Sequence, residues 1–366
     1  MNTRMAGIAL LAALPAGALA QDGQVQLYGR LNAAFENMRV HGSAPPDDAS
    51  ARGNLRRVSN YRSVIGIRGS EDLGNDLRLV YQVEGTLSLD TGAGGLAARD
   101  TRLGLEGRWG TLFGGNWTLP YNSATAGLDP FYPTTAGYMS IMGNGSASSA
   151  DNVSDTTSFD RRQKNSVHYW TPAWHGLTLR LAHGVNEERP PTGAKPSISS
   201  GALVYDRGAL YATLAHERHH AYRDPGLDDR GTKLGVAYRF GDLRLAAVGE
   251  QLRYALAGGA LERRSWYVSA TQQFGPHAVR LGVAVARDGK GATPEQIGFV
   301  RAGEDTGATH ATLGYDYTLS RRSSLFVFYT HLDNERRGAV DFAINGLDLA
   351  PGATASGLAL GMRHAF

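Results

Sequence analysis

Ser166 and His168 lie two residues apart on one face of an extended segment and offer a nucleophile beside a base, the pairing an outer-membrane lipase would use. Such a site has to meet lipid, and the alternation around it turns both residues to the opposite face. Catalysis would need nucleophile, base and orienting group all to converge, and it is not expected. His216, His219 and His220 are metal donors by type, but the adjacent two point opposite ways along a strand, so no metal site is expected. The glycines of GIRGSEDLG, which begin at Gly66, follow one strand and precede another; a dinucleotide fingerprint needs a helix there. No cysteine is present to bind a soft metal or close a disulfide, and no cofactor is expected. The sequons at Asn144 and Asn152 are formal glycosylation signals and carry no argument here. A net charge of +3 is too small to indicate nucleic acid.

What remains is guanidinium chemistry. Period-two alternation puts Arg30, Arg62, Arg68, Arg78, Arg102, Lys164 and Arg180 on one polar face, with the acids Glu36, Glu84, Glu106, Glu250 and Asp316 fewer on the same face. The elements carrying them are short strands. Val25, Leu27, Gly29, Leu31, Ala33 and Phe35 alternate with Gln26, Tyr28, Arg30, Asn32 and Glu36, and Leu77, Leu79, Tyr81 and Val83 alternate with Arg78, Val80, Gln82 and Glu84. Short turns (SEDLGND, GRWG, TPAWHG, LSRRS) alternate with long polar loops, one of them through His41, Pro45, Pro46 and Asp48. Counting gives about sixteen strands and eight long loops, with both termini on the short-turn side. Aromatic residues near strand ends (Tyr169, Tyr238, Phe240, Phe274, Tyr315) fit interfacial girdles, as ordinary β-propensity also would.

A soluble sandwich of this size would bury both inner faces and show longer apolar runs. The forty-seven glycines and sixteen tyrosines suit an all-β transmembrane antiparallel barrel, apolar toward lipid and polar toward a wet lumen. Lipid cannot hydrogen-bond backbone groups, so such a sheet must close on itself. Met1–Ala20 reads as a signal peptide, with Arg4 as its positive end, a short apolar core and Ala18-Leu19-Ala20 as the cleavage site; residues 21–366 then form one barrel domain.

The stretch from Trp117 to Asp160 has no helical or strand period, and so long a loop inside a compact domain points to function. It is expected to fold back into the barrel and narrow it; the alternative is a mobile loop outside. Asp129, Asp151, Asp155 and Asp160 on this loop would oppose the arginine wall, with the excess of bases favouring anions. Arg68, Arg78 and Arg102 are the leading constriction candidates, followed by Arg30, Arg62 and Arg180. Arg78→Glu is expected to lower the anion/cation permeability ratio.

These blocks carry a resemblance. VQLYGRLN from Val25, SVIGIRGSEDLGNDLRLVYQVE from Ser63, RDTRLGLEGRWGTLFGGNW from Arg99, RRQKNSVHYWTPAWHGL from Arg161, YDYTLSRRSSLFVFY from Tyr315 and GMRHAF from Gly361 resemble, in order and along the whole mature chain, the general porins of Gram-negative bacteria in their neisserial and β-proteobacterial branch. The resemblance implies a homotrimer of sixteen-stranded barrels in outer-membrane lipid, each narrowed by its third external loop and passing small hydrophilic solutes and ions. It also makes Phe366 the end of a signal read by the barrel assembly machinery; packing against the first strand is the plainer role. Asn116 follows Gly115 where members of this branch often have a basic residue, so selectivity does not carry over from the family. A substrate-specific channel is the nearest competing reading, and a barrel adhesin, which would have a plugged lumen or a further domain, a distant one.

Overall fold

The computed structural model describes residues 23–42, 54–188, 190–292 and 294–366. The proposed signal peptide and most of the first long loop lie outside the described residues. Sixteen antiparallel strands follow the chain: Gln24–His41; a second in two segments, Asn54–Asn60 and Ser63–Gly74; Leu77–Leu87; Thr101–Gly107; Gly110–Thr118; Arg161–Trp170; Leu177–Gly184; Ser197–Arg207; Leu210–His220; Asp228–Phe240; Leu243–Leu256; Gly259–Phe274; His277–Ala286; Ala308–Thr318; Ser323–Asn334; and Thr354–Ala365. Each pairs with its neighbours in sequence. The first also pairs with the last, from Arg30 opposite Ala365 to His41 opposite Thr354, so the sheet has no edge. Beyond this pairing, Phe366 and Gly29 exchange backbone hydrogen bonds of 3.0 and 3.1 Å. A Cβ on Gly29 would sit 2.2 Å from the Phe366 ring, so glycine is what lets the terminal aromatic lie across the first strand.

The expected alternation sorts the side chains. Leu27, Leu103, Leu234 and Leu360 are each at least 60% exposed on the outside, whereas Glu36 and Lys233 on the inner face are fully buried. The second strand departs from simple alternation. Between its two segments Arg62 has φ +54°, and the interruption resets the register: Tyr61 turns inward below Ser59, and beyond the break Val64 and Gly66 do. Arg62 thus reaches the lumen from a break in the strand, not from its regular face.

The loop pattern differs from expectation at one place. The eleventh and twelfth strands run long and meet in a tight hairpin at Leu256–Gly259, where a long sixth external loop was expected. Gly259 takes φ +146°, a conformation that suits the turn and disfavours other residues.

The long loop between the fifth and sixth strands lies inside the barrel. It forms a helix at Pro120–Ala126, a 3-10 turn at Tyr138–Ser140 and a strand at Ala147–Ala150 that pairs in parallel with the sixth strand. Its apolar residues Leu128, Tyr138, Met139, Ile141 and Met142 are buried against Ala237, Ala246, Val248 and Ala284 of the wall. Small inward residues on the eighth to fourteenth strands make the room. A Cβ on Gly235 would come within 2.7 Å of Leu128, and one on Gly314 within 2.6 Å of Phe131. The last external loop also turns inward, with Val340, Phe342 and Leu347 joining the same cluster.

Candidate pore constriction

With the loop packed on the far wall, the open space is left along the first seven strands. Two cavities occupy it. The inner one, about 490 Å³, is bordered by Arg30, Arg99, Arg162, Arg180, Glu84 and Asp100, with Trp117, Tyr132 and Trp170. The outer one, about 600 Å³, is bordered by Arg62, Asn116, Lys164 and Asn345, and again by Arg99 and Arg162. Arg99 and Arg162 therefore stand where the two chambers meet. Each is tied to a carboxylate: Arg99 Nε donates to Glu84 at 2.9 Å, and Arg162 Nε to Asp100 at 2.7 Å. Burial alone would raise the Asp100 carboxyl. Arg162 and the two hydrogen bonds from Thr118 outweigh it and hold the group below the usual carboxylate range.

Arg30, Arg62 and Arg180 differ. Among the described residues no carboxylate lies within ion-pair distance of them, nor of Arg68 and Arg102. Arg30 donates to the Arg62 carbonyl at 3.0 Å, linking the inner chamber to the outer, and Arg62 donates to Tyr132 Oη at 3.1 Å and to Ser146 on the loop. Asn116 faces the outer chamber and donates to the Arg99 carbonyl and to Ser149. Arg68 is exposed, donates to Gln26 at 2.9 Å and lies over the Tyr28 ring. Arg102 sits among Phe113, Trp117 and Trp170.

Arg78 is set apart from this group. It is exposed next to the Gly74–Leu77 turn at the short-turn rim and pairs with Glu106.

The four loop acids do not border either chamber, contrary to the arrangement expected from sequence. The Asp129 carboxylate is buried against the wall, accepting hydrogen bonds from Phe131 N (2.9 Å), Tyr138 N (2.8 Å) and Tyr267 Oη (2.7 Å). Burial pushes it up to about 6 despite these bonds. Asp160 is fully buried with neither oxygen hydrogen-bonded, and burial raises it to about 6 against the pull of Lys233 and Arg62. Asp151 caps the turn at Val153 and Ser154 and lies 4.0 Å from Lys164. Asp155 is exposed at φ +48°, and its carbonyl accepts from Arg161. The physical reason is that packing on the wall turns Asp129 toward the loop's own N–H groups and Tyr267 and buries Asp160, while Asp151 serves the turn at Val153 and Ser154. The acids that do border the chambers, Glu84, Asp90 and Asp100, come from the third strand and the connection that follows it.

Sequence reasoning passed over Arg99 and Arg162. Neither lies on a clean alternating run: Arg99 ends a Gly-rich loop, and Arg162 precedes the irregularity marked by Asn165 at φ +49°. The signal available was two charged pairs, Arg99-Asp100 and Arg161-Arg162, abutting strand starts. The other chemistry-bearing residues are spent structurally. Ser166 and His168 are hydrogen-bonded at 3.0 Å with the imidazole stacked on Phe113, and His216, His219 and His220 contact Thr232, Glu217 and Asp228 in turn.

The comparisons agree with this architecture. A family model described as Gram-negative porin matches residues 7–337. The chain is 25% identical to outer membrane porin protein 32 of Delftia acidovorans across the full length of both, and 26% identical to the major outer membrane protein P.IA of Neisseria meningitidis serogroup C over 87% of this chain and 91% of that one. Among solved structures it is similar to the anion-selective porin from Comamonas acidovorans (TM-score 0.77, 23% identity, 94% of this chain and 100% of that one). It is also similar to OmpT of Vibrio cholerae in its trimer form (TM-score 0.65, 15% identity, 94% and 99%). A closed sixteen-stranded barrel, narrowed from within by its own third loop and matched to one family model over most of its length, makes this chain a member of the Gram-negative porins, the diffusion channels of the outer membrane.

Proposed function

We propose that this porin is a general diffusion channel with a mild anion preference, working as a homotrimer. The observation that carries the preference is the pairing pattern: Arg30, Arg62 and Arg180 border the open chambers without a carboxylate partner, whereas Asp129 and Asp160 are turned into the loop–wall contact. Transport then needs no bond-making step. Solute radius and the field across the narrow zone set the rate, and the field acts over about 8–10 Å at physiological salt. The constriction is the Arg30, Arg62, Arg99, Arg102, Arg162 and Arg180 group with Asn116 at its outer side. Arg68 and Arg78 act as inner-rim charges, and Asp151 and Asp155 as outer ones.

The relative from Comamonas acidovorans, described as anion-selective, supports the sign, and the trimer form of the Vibrio cholerae barrel supports the assembly. Purified protein in planar bilayers under a KCl gradient should give a reversal potential on the anion side; a value at zero or on the cation side rejects the preference. Liposome swelling should fall smoothly with solute size. Saturable block by one solute would instead favour a substrate-specific channel. Removal of residues 1–20 in the mature protein, and recognition of Phe366 by the assembly machinery, complete the proposal; the first is checked by the amino-terminal sequence of protein extracted from outer membranes.

A further inference from the structure

We propose that Trp170 is a positioning residue for the anion preference: its ring holds the guanidinium of Arg180 at the inner chamber, and that of Arg102 on the same ring, without bringing a counter-charge. The inference rests on the preference proposed above and assigns part of it to an uncharged side chain.

Arg102 Cζ lies 4.8, 4.6 and 5.4 Å from the ring centroids of Phe113, Trp117 and Trp170, and Arg180 Cζ lies 5.4 Å from that of Trp170. Trp170 is thus shared by two cations. The three rings brace one another, with centroids 5.0 Å apart for Phe113–Trp170, 5.2 Å for Phe113–Trp117 and 6.1 Å for Trp117–Trp170, all edge-on. His168 stacks on Phe113 at 4.8 Å and fixes that ring from its side. Arg102 Nε and Nη1, and Arg180 Nε, are buried with no hydrogen-bond partner, so the rings and not acceptors hold these groups.

The contrast lies at the chamber junction, where Arg99 and Arg162 are held by Glu84 and Asp100. A carboxylate fixes an arginine and cancels its charge at a distance. A ring face attracts the cation through its quadrupole and adds no net charge. With no carboxylate within ion-pair distance, neither guanidinium has a salt bridge to fix it. A shared indole gives each a resting place with its field intact. Trp117, Trp170 and Arg180 all border the inner chamber, where that field acts on a passing ion.

The test compares wild type, Trp170→Leu, Trp170→Phe, the Arg102→Gln/Arg180→Gln pair, and that pair combined with Trp170→Leu. Folding is checked by the heat-modifiable band on gels, and reversal potentials are read in planar bilayers under a KCl gradient. Trp170→Leu should lower the anion/cation permeability ratio about two- to fivefold, the factor one such contact is worth. Trp170→Phe should keep most of the ratio, and in the Arg102→Gln/Arg180→Gln background Trp170→Leu should change nothing further. Should Trp170→Leu fail to give the folded band, Trp170→Met carries the same expectation. An anion-selective wild type with an unchanged ratio in folded Trp170→Leu overturns the assignment, as does an equal fall in the double-glutamine background. A wild type without anion preference fails the underlying reading instead, and shows it before any variant is made.

Discussion

Side chains that look alike on one polar face do different work once their partners are known. Arg180 borders the inner chamber with no carboxylate within ion-pair distance, whereas Arg78 is half-exposed at the rim and paired with Glu106. Arg180→Glu should therefore move the reversal potential clearly toward cations. Arg78→Glu, judged by the same measurement, should move it little, because a rim charge is screened within about 10 Å. Arg162→Glu should act more strongly still: it places a carboxylate beside Asp100 at the chamber junction and removes that acid's partner. Alternation identified Arg30, Arg102 and Arg180 from sequence, because an arginine cannot face lipid. It could not tell paired from unpaired, since partners such as Glu84 and Asp100 are set by register across strands and by loop ends. Arg99 and Arg162 escaped for the same reason, sitting where the period breaks.

At the scale of elements, the in-folded loop is pinned by acceptors on the wall. The Glu250 carboxylate accepts from Gly143 N at 2.9 Å and from Tyr121 Oη at 2.8 Å, with Lys233 Nζ 3.5 Å away. Glu250→Ala leaves these donors buried without an acceptor, at about 1–3 kcal/mol each. Frequent current fluctuations in single-channel records and faster proteolysis within the loop are expected, with Glu250→Gln milder because it keeps an acceptor oxygen. Asp129 and Asp160 add a pH dependence. Burial raises both to about 6 in the docked loop, while a solvated carboxyl stays near 3.8, so the docked state binds more protons between those values. Docking should strengthen as pH falls from about 6 to about 4 and be level above pH 7. Proteolytic nicking of the loop should slow on acidification, and less so in Asp160→Asn. The loop's position inside the barrel was legible in its length and lack of period. The direction its acids face was not, because that depends on the small wall residues and donors opposite, such as Gly235 and Tyr267.

For the whole molecule, closure is the condition of stability, since an open edge in lipid leaves backbone groups unsatisfied. The seam ends where Phe366 lies over Gly29. Gly29→Val would collide with the terminal ring, and loss of Phe366 would remove the last paired hydrogen bonds. Both should lower the temperature at which the folded gel band is lost, and Phe366 deletion should also reduce the amount assembled. The number of strands and their facing were readable from the alternation and turn spacing. The sixth external connection was not: the Gly258-Gly259 pair and the small residues Ala255, Ala257 and Ala260 beside it break the alternation, so the upper ends of its strands looked like loop.

That hairpin at Leu256–Gly259 bears on engineering. A Cβ added at Gly258 or Gly259 would meet nothing within 4 Å, and the crossing strands on either side are fully paired. A peptide grafted between Ala257 and Gly258 would stand clear of the permeation path and of the in-folded loops. Cells displaying an epitope there should bind its antibody while their porin keeps wild-type conductance, which would make this turn a surface-display site.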